Sequence, residues 1–244
     1  MQASSNASEG LVEYEPGDLT CIVRGDMPLA ELQRLLAERG QRLSLDPPGA
    51  PTVGECVLED LAGPLRHRFG TMRDLILGVR VVLPDGTRAN SGGKVVKNVA
   101  GYDLGKLLCG SRGRLGVLER VALRLHPLPA HARSVAIDAS RWGELQRSQL
   151  VPSAADIVDG RLHLLFEGSQ RAVEEEIAAL GGEEHDRWAK IRALQATLPG
   201  RRRWDGEEAP LVRPGPRVAY TAEPPAERWS PLAERVVEAM WTPS

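Results

Sequence analysis

Apolar residues recur along this chain in two periods. Leu29, Leu32, Leu35 and Leu36 fall at helical spacing after Pro28, and Gly40 follows, so the pattern predicts a helix between them. Thr20 to Gly25 (TCIVRG) predicts a short β-branched strand. Val79, Val81, Val82 and Leu83 run into Pro84-Asp85-Gly86, which predicts a hairpin over VRVVLPDGTRAN. Leu104, Leu107 and Leu108 predict a short helix, and Val117, Val121, Leu123 and Leu125 a strand ended by Pro127. Between these, residues 45–78 are crowded with proline and glycine and show little periodicity, which predicts a long irregular stretch, either functional or a surface excursion.

The style changes after Pro129. Val135 to Ile137 and Arg161 to Gly168 (RLHLLFEG) predict strands. Ser169 caps a helix carrying Val173, Ile177 and Leu180, which Gly181 and Gly182 end. RRRWDGEEAP and RPGPR read as loops, and PLAERVVEAM as a last helix. Residues 1–9 are expected to form a flexible end, 10–129 one domain and 130–244 a small C-terminal cap-like region, with the boundary near 127–133. All five tryptophans follow residue 140, an arrangement suited equally to an interface and to core packing.

Composition narrows the function. The 244 residues are 42% hydrophobic and 26% charged, as a globular chain requires. A net charge of −2 supplies no global field for nucleic acid. Three scattered cysteines form neither a disulfide framework nor a CxxC pair, and the five histidines lack metal-ligand spacing. No apolar run of about 18 residues occurs, so no transmembrane segment is expected, and the cytoplasm is the expected compartment.

The chemistry candidates are glycine segments: 51–64, 92–103 and 110–118. Glycine admits close approach of a ligand to the backbone, and successive N–H groups form anion nests. Gly110 to Gly116 spells G-x-x-G-x-x-G, which is not the Rossmann spacing, and Gly93-Lys94-Val95 fails the P-loop. Taken singly, each segment reads as an ordinary turn.

Together, VEYEPGDLT, LDPPGAPTVG, LAGPLRHRFGTMRDLILGVRVVLPDG and GGKVVKNVAGYDLGKLLCGSRGRLGVL resemble the PCMH-type (vanillyl-alcohol-oxidase type) FAD-binding domain. More narrowly, they are similar to the FAD-binding subunit of bacterial glycolate oxidase. The resemblance implies an α+β fold: a PCMH-type FAD-binding domain with its second subdomain largely complete and its first truncated, then a small degenerate α/β cap. It implies that Thr52, Val53, Gly54, Ala62 and Gly63 contact the pyrophosphate, ribityl chain and flavin. Gly110, Ser111, Gly113, Gly116, Val117 and Leu118 would lie near the adenosine half. Gly70 joins them through the family's G-x-x-R-D, matched by Gly70, Arg73 and Asp74. Structural roles are favoured for Arg73 and Asp74, and an N-cap for Asp103. No catalytic residue is implied.

Several positions depart from that family. Its relatives begin with a further glycine-rich loop that wraps the pyrophosphate, and this chain is expected to lack it. The family's T-V-G-G reads Thr52-Val53-Gly54-Glu55, and a carboxylate there repels a pyrophosphate unless it points away. Asp60 stands at a usually small position beside Glu59, and Arg114 falls within the G-T-L-G equivalent, able to pair with phosphate. His67 is a candidate to approach the flavin, although a surface position is the commoner outcome. The resemblance implies an FAD-holding oxidoreductase subunit acting on a 2-hydroxy acid such as glycolate. Its partners would be a paralogous catalytic subunit and an iron–sulfur subunit. The alternative is a scaffold subunit with weakened or lost FAD binding.

Overall fold

The computed structural model describes residues 10–92 and 103–224. The expected flexible end, most of the GGKVVKNVAGYD segment and the last expected helix lie outside the described residues.

In chain order the first half runs β1 (Leu11–Glu15), β2 (Thr20–Arg24), α1 (Leu29–Ala37), β3 (Gln41–Arg42), α2 (Val53–Leu58), α3 (Arg66–Phe69), α4 (Met72–Leu75), β4 (Ile76–Val82), β5 (Arg88–Gly92), α5 (Leu104–Leu108), β6 (Val117–Arg124) and β7 (His126–Pro127). The second half runs β8 (His131–Asp138), α6 (Trp142–Arg147), β9 (Ala154–Val158), β10 (Arg161–Gly168), α7 (Gln170–Leu180), β11 (Glu183–Glu184), α8 (Trp188–Ala196), β12 (Gly200–Arg203), β13 (Leu211–Arg213) and β14 (Val218–Thr221).

The first half builds a five-stranded antiparallel sheet in the order β1-β2-β6-β4-β5. Period-2 alternation gives this sheet two faces. Cys21, Val23, Val79, Val81, Val121 and Leu123 point inward onto Leu32 and Leu36 of α1, Val53 and Val57 of α2, and Met72 and Leu75 of α4, and all are buried. Burying a leucine such as Leu32 or Leu36 contributes about 1.5–3 kcal/mol. The opposite face carries Ile22, Gly78, Ala122 and a set of arginines. The stretch 45–78 is less irregular than its composition predicts. It holds α2, α3 and α4, each too short to display a helical period.

The second half forms a seven-stranded sheet, β11-β8-β10-β9-β13-β14-β12, also antiparallel. Phe166, Leu162, Leu164 and Val135 pack under α6 and α7, while Leu211, Val218 and Tyr220 pack with Trp188 and Ile191 of α8. Two expectations need correction here. Arg201–Arg203, read as loop, is strand β12, and the RPGPR segment begins inside β13. β12 is an edge strand, where charged residues are tolerated because one side of the ladder faces solvent. Trp188 is core: its ring is buried and its Nε1–H donates to Ser134 Oγ at 2.7 Å.

Arg42 ties the two halves together with a bidentate, largely buried pair to Glu167 at 2.6 and 2.7 Å. Among the described residues no helix is long and apolar enough to cross a membrane, and no cluster of His, Cys, Asp or Glu could hold a metal ion.

Candidate functional site

Thr52, Val53 and Gly54 open α2. Thr52 Oγ1 accepts the Glu55 N–H at 3.1 Å and Glu55 Oε2 accepts the Thr52 N–H at 2.7 Å, a reciprocal capping box. The Glu55 carboxylate therefore turns back onto its own helix end. T-V-G-E is itself the S/T-x-x-E signature of that box, a signal the family comparison obscured. Val53 and Gly54 are buried, with Val53 N–H on Met27 O and Gly54 N–H on Gly25 O at 2.8 and 2.7 Å. A side chain at Gly54 would meet Gly25 O at 2.7 Å, so glycine is required by the turn after β2. We expect Thr52→Ala to cost about 1 kcal/mol, the usual loss of an N-cap. Urea unfolding checks this, and an unchanged midpoint would show that the box contributes nothing.

The 110–118 segment packs on the far end of α2. Gly110 N–H donates to Val57 O and Arg112 N–H to Leu58 O, at 3.0 and 2.8 Å. Gly116, at φ +140°, lies against Val82 O, and Gly113 sits in a positive-φ turn facing open space. Ser111 is buried and its hydroxyl has no hydrogen-bond partner among the described residues. Leu118 is buried with its carbonyl over Gly25, whereas Val117 is 70% exposed. The segments 52–54 and 110–118 thus converge around α2 and Gly25.

Ala62, Gly63 and Gly70 lie elsewhere. Ala62 O accepts from Gln195 Nε2 at 2.8 Å and Arg213 Nη1 at 3.4 Å, both from the second half. Gly63 packs on Asp46, whose Oδ1 accepts the Leu65 N–H at 2.9 Å and whose Oδ2 meets Arg192 at 3.4 Å. Burial pushes the Asp46 carboxyl up to about 7, against the pull of those donors. Gly70 ends α3 at φ +78° and abuts Asp74, which accepts the Thr71 N–H at 2.8 Å in a second capping box. Asp74 and Asp103 are caps, as expected.

The acidic departures are neutralised within the protein. Arg201 reaches Asp60 Oδ2 at 3.2 Å, and Arg112 lies 3.8 Å from Glu59. His67, its backbone N–H on Pro64 O at 3.1 Å, is half-buried with its ring beside Trp142 and Gly215, and burial lowers its pKa. Cys56 lies in the core, where burial raises its thiol to about 12, so it carries no thiolate at neutral pH.

The sequence reading missed the outer face of the first sheet. A cleft of about 160 Å³ there is lined by Ile22, Gly78, Arg80, Asn90, Gly92 and Ala122. A second, of about 330 Å³, is lined by Arg24, Gly25, Asp26, Val117 and Leu118. Arg120 lines both, so the two clefts lie side by side on that face of β2, β6, β4 and β5 as an arginine-bordered trough in two parts. The alternation was visible in Gly78-Val79-Arg80-Val81, but the trough depends on which strands pair.

Residues 5–92 match the family described as "FAD binding domain". The glycolate oxidase subunit GlcE of Escherichia coli (strain K12) is 36% identical over 205 residues, 78% of this chain and 59% of that protein. The mitochondrial D-lactate dehydrogenase [cytochrome] of Arabidopsis thaliana is 34% identical over 157 residues, 64% of this chain and 28% of that protein. The chain therefore spans less than two thirds of the length of these relatives. Among solved structures, an alkyldihydroxyacetonephosphate synthase superposes with a TM-score of 0.57 at 16% identity, covering 70% of this chain and 38% of that one, which speaks for the fold.

The residues present fit FAD, the cofactor of that family. A dinucleotide needs a long, shallow bed of small side chains with positive charge beside it. Gly25, Gly78, Gly92 and Ala122 supply the bed, three arginines border it, and the exposed Val117 stands at one end. The match over residues 5–92, the relatives and the shared architecture together identify a PCMH-type FAD-binding fold in this chain.

Proposed function

We propose that this chain holds FAD non-covalently for the oxidation of a 2-hydroxy acid such as glycolate. It does so in the cytoplasm, as one subunit beside a paralogous FAD-binding catalytic subunit and an iron–sulfur subunit. FAD held there would supply the hydride acceptor for the carbon bearing the hydroxyl; the protein's task would be to bind and orient it. The observation that carries this reading is the arginine-bordered trough on the outer face of the first sheet, in a chain whose relatives are named as a glycolate oxidase subunit and a D-lactate dehydrogenase. Gly110, Ser111, Gly113, Gly116, Val117 and Leu118 hold the adenosine half. Ser111 brings a buried hydroxyl that still has hydrogen-bonding capacity to give. Thr52, Val53 and Gly54 fix the backbone at Gly25 beside that trough, and Ala62, Gly63 and Gly70, which lie apart from it, would act on the flavin half only by shaping the backbone from a distance. We assign no catalytic base to this chain.

A scaffold role without FAD is the second reading. It is favoured by one observation: the Thr52 hydroxyl and the side-chain space at Gly54 and Gly63 are taken by the protein's own atoms. Spectroscopy separates the two. The purified chain, alone or with its partners, is expected to be yellow and to retain about one FAD per chain, as a single site requires. A chain that stays colourless after incubation with FAD, in both states, would overturn the first reading and leave the scaffold.

A further inference from the structure

We propose that Arg24, Arg120 and Arg80 form a guanidinium row that binds the diphosphate of the dinucleotide; this deepens the FAD reading and rests on it. The row follows from strand register. Arg24 of β2 is paired with Arg120 of β6, Arg120 with Arg80 of β4, and Arg80 with Asn90 of β5. Directly opposed residues stand about 5 Å apart, and like charges so placed repel. Three arginines side by side are therefore a cost to the folded sheet that an anion would relieve.

The surroundings leave that cost largely unmet. Asp26 takes Arg24 at 2.5 Å at one end of the row. At the other end the Asn90 Oδ1, a neutral acceptor, takes Arg80 Nε at 2.9 Å. Glu119, at the β-bulge beside the row, is engaged by Arg88 at 3.5 Å. Arg120, in the middle, has no carboxylate within ion-pair distance among the described residues. The middle of the row, Arg120, is therefore the position at which a diphosphate oxygen would find a guanidinium not already held by a carboxylate among the described residues.

The shape agrees with the charge. Two residues along the strands, on the same face, lies a parallel row that is small over three of its four positions: Ile22 opposite Ala122, Ala122 opposite Gly78, Gly78 opposite Gly92. A ligand lying on that shelf has the planar guanidinium forks at its edge, the arrangement in which arginine binds phosphate oxygens in pairs.

The test titrates the whole chain with FAD and with riboflavin, which shares the flavin ring but carries no phosphate, at two salt concentrations. Arg120→Gln is expected to weaken FAD at least about tenfold, the scale of a lost charged hydrogen bond. It should flatten the salt dependence, leave riboflavin unchanged, and leave the unliganded Tm unchanged or slightly raised. Arg120→Lys should recover part of the loss. Equal FAD affinity in wild type and Arg120→Gln overturns the row as the diphosphate element while the FAD reading stands. Equal loss of riboflavin binding also overturns it, because the residue would then be shaping the site. A wild-type chain that binds neither flavin overturns the FAD reading and this proposal with it.

Discussion

Arg213→Met is expected to destabilise the protein by about 3–5 kcal/mol, the scale of removing one partner from a buried ion pair. For a chain of this size that lowers Tm by roughly 10 °C. Arg213 is fully buried, as is Asp156, which accepts from Nε at 3.0 Å and from Nη2 at 3.3 Å. Nη2 also donates to Gln195 Oε1 at 2.6 Å, and Nη1 to Tyr220 Oη at 2.5 Å. Burial lifts the Asp156 carboxyl above its ordinary range, and the Arg213 charge pulls it back. Burial also works against the guanidinium, but Asp156 and Tyr220 outweigh it and hold it firmly charged. Methionine fills similar volume and supplies none of these donors, so Asp156, Gln195, Tyr220 and the Ala62 carbonyl lose a partner at once. Thermal unfolding followed by circular dichroism measures the effect. Arg213→Lys, which keeps charge but not the fork, should fall between. A drop of less than about 2 °C for the methionine variant would show that the network is not holding the halves together.

That network marks the limit of what the residues reveal by themselves. Local signals were readable: the PDG hairpin, the leucine face of α1 and the Asp103 cap all appear where spacing put them. Capping of α2 was written in Thr52-Val53-Gly54-Glu55 but was hidden by aligning it with a glycine pair. Partnering between distant segments was not readable. β2 pairs with β6 about a hundred residues later, Thr20 with Arg124, and only that pairing sets three arginines in one row. The same holds for Arg213. An arginine beside Pro214-Gly215-Pro216 reads as a solvated loop, because arginine is almost never fully buried unless paired, and its partner Asp156 lies on another strand. The family resemblance supplied the fold and the cofactor. It did not supply the placement of Ala62–Gly63, which the structure sets against the second half of the chain.

Gly63→Ala tests that placement. The added Cβ would lie 1.8 Å from Asp46 O and 2.4 Å from Asp46 Oδ1, far inside any real contact, so backbone must move. Neither side can move freely. Asp46 holds the Leu65 N–H and meets Arg192, while Ala62 O is held by Gln195 and Arg213. Displacing the segment therefore loosens the contacts to the second half as well as the first-half core. The expected cost is about 3 kcal/mol, the upper end of ordinary overpacking. Gly17→Ala is the matched control: nothing lies within 4 Å of its added Cβ, and a change within about 0.5 kcal/mol is expected. Tm gives the stability difference. FAD uptake, read at a temperature where both variants remain folded, gives the functional one. If Ala62–Gly63 shape the flavin half, Gly63→Ala loses affinity while fully folded. A variant as stable as Gly17→Ala would mean that the Asp46–Gly63 contact yields freely, and the tight seam between the halves would have to be abandoned.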